Sequence, residues 1–280
     1  MPCLDIDQTA FYRPVCCRRD PYCRKQKYSK KWACEKEWLP FQEFTDNLLR
    51  LHIAASSSLD RLRIHVPALN PGDRQAIDAC SRWITRGVRC SPTVIDIHMD
   101  FTWGWRKWLP SDLGSKYSSR LTRLLLHGVA LDGSFVVPLR SGGYPVLEEL
   151  SLVRCSCMFN EIMSTRLRHL TFDNCFGYYR LGGLVVTAPM LTSLHTCFST
   201  ICCPHGTDVT DTSSLIRASI RVPTFYNMNA SFWAKLCNIF NVMHLELFGA
   251  RMMVRTSLFQ FCLCFSFDCC TLVPLMCTCV

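Results

Sequence analysis

The sequence predicts an α/β fold made of repeats, and a short leucine phrase that returns along the chain is the main reason. The pattern is Leu-x-x-Leu-x-Leu, first seen clearly as Leu59-x-x-Leu62-x-Ile64. Eight copies start at residues 59, 94, 121, 147, 167, 191, 215 and 242, so successive starts lie 35, 27, 26, 20, 24, 24 and 27 residues apart. Most of these intervals are typical of leucine-rich repeats. We therefore predict a leucine-rich-repeat solenoid, a curved parallel sheet with helices and loops on its convex side.

The end of each phrase is a strand signal, because alternate residues of a strand point to opposite faces. The leucines would all point into a shared interior, where each strand covers the next. Two copies have a further feature of such repeats: Cys155 and Cys175 each stand three residues after the last apolar residue of a phrase. At that point the chain leaves the strand and needs a small buried side chain, so we predict a structural role for both cysteines.

Spacing predicts one more strand and two helices. Leu4 and Ile6 alternate with acids, which predicts a short strand near the N-terminus. Residues 38–55 form a predicted amphipathic helix whose apolar face comprises Phe41, Phe44, Leu48, Leu49, His52 and Ile53. A second helix is predicted over residues 73–89, with one face made of Ile77, Cys80, Trp83, Ile84 and Val88.

These elements divide the chain into three regions. Residues 1–37 hold the first strand and a basic insertion, residues 38–250 form the repeat domain, and residues 251–280 form a cysteine-rich hydrophobic tail. Residues 258–280 contain six of the 20 cysteines and do not resemble another repeat. Their length would permit a membrane-spanning helix, but Gln260, Asp268 and Pro274 argue against one. We expect a poorly ordered tail and no membrane contact.

The composition indicates a globular chain that uses cysteine as a buried apolar residue. Of its 280 residues 49% are apolar and 19% charged. The chain opens without a hydrophobic leader, so we predict a cytoplasmic or nuclear location, where disulfides are disfavoured. Structural zinc sites usually take paired C-x-x-C ligands, and the sequence has no such pair. We predict no metal and no cofactor.

Most of the net charge of +9 comes from one segment. Residues 13–36 contain nine lysines and arginines against two acids, which supplies +7. Such a block could bind nucleic acid or an import carrier. We favour a solvated insertion, because no RNA-recognition or helix-turn-helix signature accompanies it, and we expect no nucleic-acid partner.

Strings along residues 1–250, apart from the basic insertion, resemble the plant F-box/leucine-rich-repeat proteins, particularly the cereal group that often ends in an FBD domain. The strings include CLDIDQTAF, RWITRGVRCSPTVIDI, YPVLEELSLVRCSC, LRHLTFDNCFG and NVMHLELFG. In that family an F-box docks on a Skp-type adaptor of a cullin ubiquitin ligase, and the repeats capture a protein substrate for ubiquitin-dependent degradation. The resemblance therefore implies the substrate-recognition part of an SCF-type receptor.

The chain departs from this family at both ends. Its first residues resemble the stretch that follows an F-box, and the C-terminal FBD segment is replaced by the cysteine-rich tail. We expect adaptor and cullin as partners only if an F-box is present. The alternative is a stand-alone interaction protein or a truncated product without a link to the ligase.

No catalytic motif accompanies the repeats. The chain contains no G-x-S-x-G, H-E-x-x-H, P-loop or G-x-G-x-x-G motif. Glu148 and Glu149 are neighbours on a predicted strand and so point to opposite faces, where they cannot cooperate. We predict a binding protein rather than an enzyme, with no catalytic residues.

A partner would bind the strand positions between the inward leucines, on the concave surface. By parity these positions are Arg61, Arg63, His65, Asp96, His98, Arg123, His127, Glu149, Ser151, His169, Thr171, Asp173, Ser193, His195, Arg217, Ser219, Arg221, His244 and Glu246. Six of the eight histidines are among them. They could form a pH-sensitive recognition surface or a metal ladder, but polar strand positions also simply accept histidine. Different offsets of the histidines in successive phrases argue against a shared metal site.

Overall fold

The computed structural model describes residues 2–11, 35–54, 58–66, 74–99, 118–177, 184–197, 207–210, 213–221 and 242–248. In chain order the elements are β1 (Cys3–Asp7), α1 (Gln8–Phe11), α2 (Glu35–Ala54), β2 (Arg61–Val66), α3 (Arg74–Val88), β3 (Val94–Met99), β4 (Arg123–His127), β5 (Ala130–Leu131), α4 (Gly133–Ser141), β6 (Glu149–Val153), β7 (Ser156–Cys157), β8 (Glu161–Met163), β9 (His169–Asp173), β10 (Leu184–Thr187), β11 (Ser193–Cys197), β12 (Thr207–Thr210), β13 (Arg217–Arg221) and β14 (His244–Phe248).

The dominant element is a nine-stranded parallel sheet. Its strand order is β1-β2-β3-β4-β6-β9-β11-β13-β14, so neighbours in the sheet follow one another along the chain. Two smaller parallel sheets are formed by β12-β10-β8 and by β5-β7. An α/β fold with a parallel sheet is thus confirmed. Every predicted phrase supplies one strand of the large sheet, and the predicted N-terminal strand is β1 at its edge.

Burial alternates along the strands as the phrases predict. In β2, for example, Leu62 and Ile64 are buried while Arg61 is exposed. The register places the buried residues in columns, the first of which contains Leu4, Leu62, Ile95, Leu124, Leu150, Leu170, Leu194, Ala218 and Leu245. Full burial of one leucine side chain stabilises a fold by roughly 1.5–3 kcal/mol. The columns therefore form the main core.

The register corrects one predicted copy. The phrase assigned to Val94 would put Ile97 beside Leu62, but the pairs are Leu62 with Ile95 and Ile64 with Ile97. The copy therefore starts at the buried Pro92, and the first two intervals are 33 and 29 residues. The shift is two residues, so the predicted inward and outward positions are unchanged.

A recurring backbone contact joins the strands where they begin. The amides of Thr93 and Val94 both donate to the carbonyl oxygen of Asp60, at 3.1 and 3.0 Å. The same arrangement of two donors on one carbonyl occurs at five further strand junctions, through to the pair Ile216 and Arg217 on Thr192. The Thr93 hydroxyl adds a third bond to the Asp60 oxygen at 2.6 Å. These contacts lock neighbouring strands in one register.

Strands β4, β6 and β9, in the middle of the sheet, are each followed by a residue with a positive φ angle. Gly128, Arg154 and Asn174 stand two residues after the last buried strand residue, each with φ between 50° and 67°. Next come Val129, Cys155 and Cys175, which are all buried. The Cys155 thiol donates to Leu126 O at 3.3 Å, and the Cys175 thiol to Leu152 O at 3.2 Å. Burial raises the pKa of both thiols well above the ordinary value, so they stay protonated.

Both predicted helices are present, but one predicted face is partly wrong. Helix α2 buries Trp38, Phe41, Thr45 and Leu49. Phe44 and Ile53, assigned to the apolar face, are 51% and 39% exposed. Helical spacing cannot distinguish the two sides of an α2 that carries apolar residues all around. The ring of Phe44 instead lies at the surface, with its centroid 5.3 Å from that of Phe11.

Helix α3 buries its whole predicted face. Ile77, Cys80, Trp83, Ile84 and Val88 are at most 9% exposed, which confirms the prediction. A Cβ at Gly87 would lie 2.5 Å from the Leu62 side chain, so glycine allows α3 to approach the sheet closely. Trp83 also donates from Nε1 to Asp46 Oδ1 at 3.3 Å, which ties α3 to α2.

Several predictions concern residues outside the described ranges. They include most of the basic segment 13–36, the cysteines at 16–34 and 202–203, and the whole tail 251–280. Within the described ranges no cysteine forms a disulfide, and all but Cys3 are buried. No helix in those ranges is long and apolar enough to cross a membrane.

We predict that Gly177→Ala strongly destabilises the fold. An added Cβ would overlap the backbone carbonyl of Cys157, and backbone cannot move aside as a flexible side chain can. We expect the free energy of unfolding, measured by urea denaturation, to fall by about 2–3 kcal/mol. Gly133→Ala is the matched control, because nothing lies within 4 Å of a Cβ there. An equal effect of both substitutions would contradict the close approach of Gly177 to the backbone of Cys157 in β7.

We predict that Thr196→Val stabilises the protein. Thr196 is 1% exposed in a column of apolar residues, and its Oγ1 has no hydrogen-bond partner among the described residues. Replacing the buried hydroxyl with a methyl group of similar shape should raise the free energy of unfolding by about 1 kcal/mol. Thr171→Val, on the exposed face of the neighbouring strand, should change it little. A loss of stability in Thr196→Val would show that the hydroxyl is hydrogen-bonded.

Candidate binding face of the sheet

The outward side chains of the nine-stranded sheet form three rows, which we together call the binding face. The first row lies nearest the strand starts and contains Cys3, Arg61, Val94, Arg123, Glu149, His169, Ser193, Arg217 and His244. The second row contains Asp5, Arg63, Asp96, Leu125, Ser151, Thr171, His195, Ser219 and Glu246. The third row contains Asp7, His65, His98, His127, Val153, Asp173, Cys197 and Arg221.

All of the predicted partner-binding residues belong to these rows. The sheet therefore brings side chains from residues 61 to 246 together on one face, as the parity argument predicts. The prediction missed Asp5 and Asp7, although their alternation with Leu4 and Ile6 was the signal. It also missed Leu125, which has the same parity as Arg123 and His127 but is apolar. Leu125 is the half-buried apolar residue of the second row.

Ion pairs join the first three strands across the face. Arg61 Nη2 lies 2.6 Å from Asp96 Oδ2, and Arg63 lies 3.3 Å from Asp5 and 4.0 Å from Asp96. The arginine side chains are 48% and 40% exposed. Exposed pairs of this kind typically contribute no more than about 1 kcal/mol. Their main effect is to compensate charge and to hold the side chains in place.

The charges of the face nearly cancel. Its rows contain six acids and five arginines, a formal charge of −1 when the histidines are neutral. A further pair joins Arg123 Nε to Glu149 Oε2 at 3.2 Å. The face thus does not share the net charge of +9 of the whole chain.

Three histidines occupy the same position on neighbouring strands, and we call them the histidine row. The register pairs His65 with His98 and His98 with His127. Their ring centroids are 4.5 and 3.9 Å apart. The prediction that the histidines occupy different positions in successive phrases is therefore wrong for these three. The cause is that the sequence pattern places the start of the second phrase at Val94 rather than at Pro92. With Pro92 as its start, all three follow the last inward residue of their phrase.

Asp7 lies at one end of the histidine row. Its Oδ1 is 3.2 Å from His65 Nδ1, a distance that allows charge attraction although the geometry is not that of a directed hydrogen bond. The same oxygen accepts bonds from the Thr9 amide at 2.8 Å and the Thr9 hydroxyl at 2.6 Å. Burial alone would raise the pKa of Asp7, but the two Thr9 bonds and the nearby His65 together lower it. Asp7 is therefore a carboxylate at neutral pH.

Among the described residues, no three histidine, cysteine or acidic side chains are arranged to hold one metal ion. Within the histidine row the ring planes are tilted by 49° between His65 and His98 and by 42° between His98 and His127. What the rows offer is a broad set of hydrogen-bonding and charged groups on a rigid sheet.

No protein-family model, no curated protein and no solved structure matches the chain.

Proposed function

We propose that this protein is a non-catalytic binding module that captures a protein partner on its binding face. One observation supports the proposal above all: successive strands in matched register spread polar side chains over one broad surface. A surface of many separate contacts suits another macromolecule better than a small ligand, which is usually held in a concave pocket.

We further propose that the parallel sheet is the inner wall of a leucine-rich-repeat solenoid. The returning phrase, the recurring two-donor contact at strand starts and the repeated positive-φ exit at Gly128, Arg154 and Asn174 support this reading. In such a solenoid each repeat contacts mainly its neighbours, and the sheet curves to form an extended concave surface. The binding face would be that concave surface.

The resemblance to plant F-box/leucine-rich-repeat proteins gives the proposal a cellular role. In that role the face selects a substrate for an SCF-type ubiquitin ligase, while a Skp-type adaptor binds an F-box. The strings that carry the resemblance include FTDNLLRLH in α2 and the sequences of β3, β6 and β9. Their order along the chain is also the order of the corresponding strands in the sheet.

The second row provides the centre of the proposed contact. Leu125, Ser151 and Thr171 are neighbours in register and form a small, uncharged strip between charged groups. Protein interfaces commonly have such a centre, where water is excluded, with polar residues around it. Leu125 is the apolar anchor of the strip.

We predict that Leu125→Arg abolishes partner capture. A guanidinium at the centre of the contact would have to be desolvated without a partner, which should weaken binding at least about tenfold. The measurement is quantitative mass spectrometry of proteins retained from plant extract by the immobilised chain. Val137→Arg is the matched control, because Val137 is 59% exposed on α4, away from the sheet. Retention of the same proteins by both variants would contradict the proposed face.

The link to a ligase is tested separately. We predict that the chain with an F-box fused before Met1 co-purifies with a Skp-type adaptor and that the unfused 280-residue chain does not. The physical reason is that adaptor docking requires the helical F-box module, whereas the face is reserved for substrate. Adaptor retained by the unfused chain would contradict this division of roles. Substrates found with the fused chain should be lost again on Leu125→Arg.

A further inference from the structure

Helix α2 carries a continuous row of apolar side chains that is largely exposed. Phe44, Leu48 and Leu51 recur at the i, i+4, i+7 spacing of one helix face. Phe44 is 51% and Leu51 67% exposed, and Leu48 is only partly buried. The ring of Phe11 extends the row, with its centroid 5.3 Å from that of Phe44. We call these four residues the outer stripe.

The outer stripe faces away from the neighbouring helix α3. Trp83 and Arg86 of α3 both donate to Asp46 Oδ1 on α2, at 3.3 and 2.6 Å. Asp46 lies two positions from Phe44 and from Leu48, which corresponds to a rotation of about 200° around the helix. Single exposed apolar residues are common on protein surfaces, whereas a continuous row of them indicates an interaction site.

Two opposite charges border the outer stripe along one edge. Glu43 directly precedes Phe44, and Arg50 directly precedes Leu51, so the two exposed charges lie one heptad apart on the same side of the stripe. Arg50 Nη2 donates to Asn47 Oδ1 at 2.9 Å, which holds the guanidinium along this edge. The edge is self-complementary, because a rotation of 180° about an axis near Asn47 exchanges the acidic end with the basic end.

We propose that the outer stripe binds a second copy of this chain, with the two α2 helices antiparallel about a twofold axis near Asn47. Phe44 then packs toward the partner's Leu51, and Glu43 pairs with the partner's Arg50, and each contact occurs twice. Parallel helices would instead place like charges beside each other. Ion pairs along the edge of a helix pair determine its partner and its orientation. The charge pattern therefore favours a second copy in the antiparallel orientation.

The dimer is weak and leaves both binding faces accessible. A contact between single helices lies at the small end of specific interfaces, so we expect a dissociation constant on the order of 10–100 µM. The buried residues of α2 belong to the same core as the inward strand residues, so α2 and the binding face lie on opposite sides of the sheet. Two accessible faces would strengthen capture of a partner that has two matching sites. This last consequence rests on the proposed function, whereas dimerisation does not.

The first test is sedimentation equilibrium of the full chain from about 1 to 200 µM, in reducing buffer that prevents disulfides between copies. Leu51→Glu places a carboxylate in the apolar contact and should weaken dimerisation at least about tenfold. Val137→Glu is the matched control, because Val137 is 59% exposed on α4. Far-UV circular dichroism checks that each variant is folded. A wild-type chain that stays monomeric throughout, or a dimer that Leu51→Glu leaves unchanged, would overturn the proposal.

A charge exchange tests the orientation of the helices. Glu43→Arg alone and Arg50→Glu alone each place like charges together at both ends of the contact, and each should weaken dimerisation about fivefold. The double variant restores opposite charges and should recover the wild-type association. If it stays as weak as the single variants, the antiparallel contact is wrong and the proposal fails. These exposed positions decide the question even if Leu51→Glu does not fold. No other protein is present, so a failure here differs from a failure of partner capture.

Discussion

The matched register of the parallel strands is the constraint on which the rest of the structure depends. Two kinds of interaction set it: buried columns made mostly of leucine and isoleucine, and pairs of amides that share one carbonyl at the starts of β3, β4, β6, β9, β11 and β13. The columns fix which face of a strand points inward, because a slip of one residue would expose every leucine. The shared carbonyls fix where these six strands begin. Together they leave a single arrangement of outward side chains.

That arrangement explains why residues distant in sequence act as neighbours. Arg61 reaches Asp96 across 35 positions of sequence, and Arg63 reaches Asp5 across 58. The histidine row arises in the same way, since one histidine follows the last inward residue of the phrase in each of three successive strands. No local sequence motif indicates such a row. Only the register brings the rings within contact distance.

Strand positions, their inward and outward faces, the parallel sheet and both helices could be predicted from the sequence, because periods of two and 3.6 residues are directly visible in it. The register of β3 could not. The phrase is matched equally well by Val94, Ile97 and Met99 and by Pro92, Ile95 and Ile97. The correct start is hard to recognise because proline occupies its first position. The face of α2 was misjudged for a related reason, since Phe44 contacts Phe11 at the surface. Both errors concern choices that only tertiary contacts decide.

Starting the second phrase at Val94 instead of Pro92 affects the predicted site more than the predicted fold. Moving the start of the phrase by two residues leaves the inward and outward positions unchanged, so the prediction still places Asp96 and His98 on the outward face. The wrong start nevertheless conceals the alignment of His65, His98 and His127. Parity determines which residues a partner can touch, whereas register determines which of those residues touch each other. Parity alone therefore determines which residues make up the binding face. The ion pairs and the ring contacts between its side chains follow from the register.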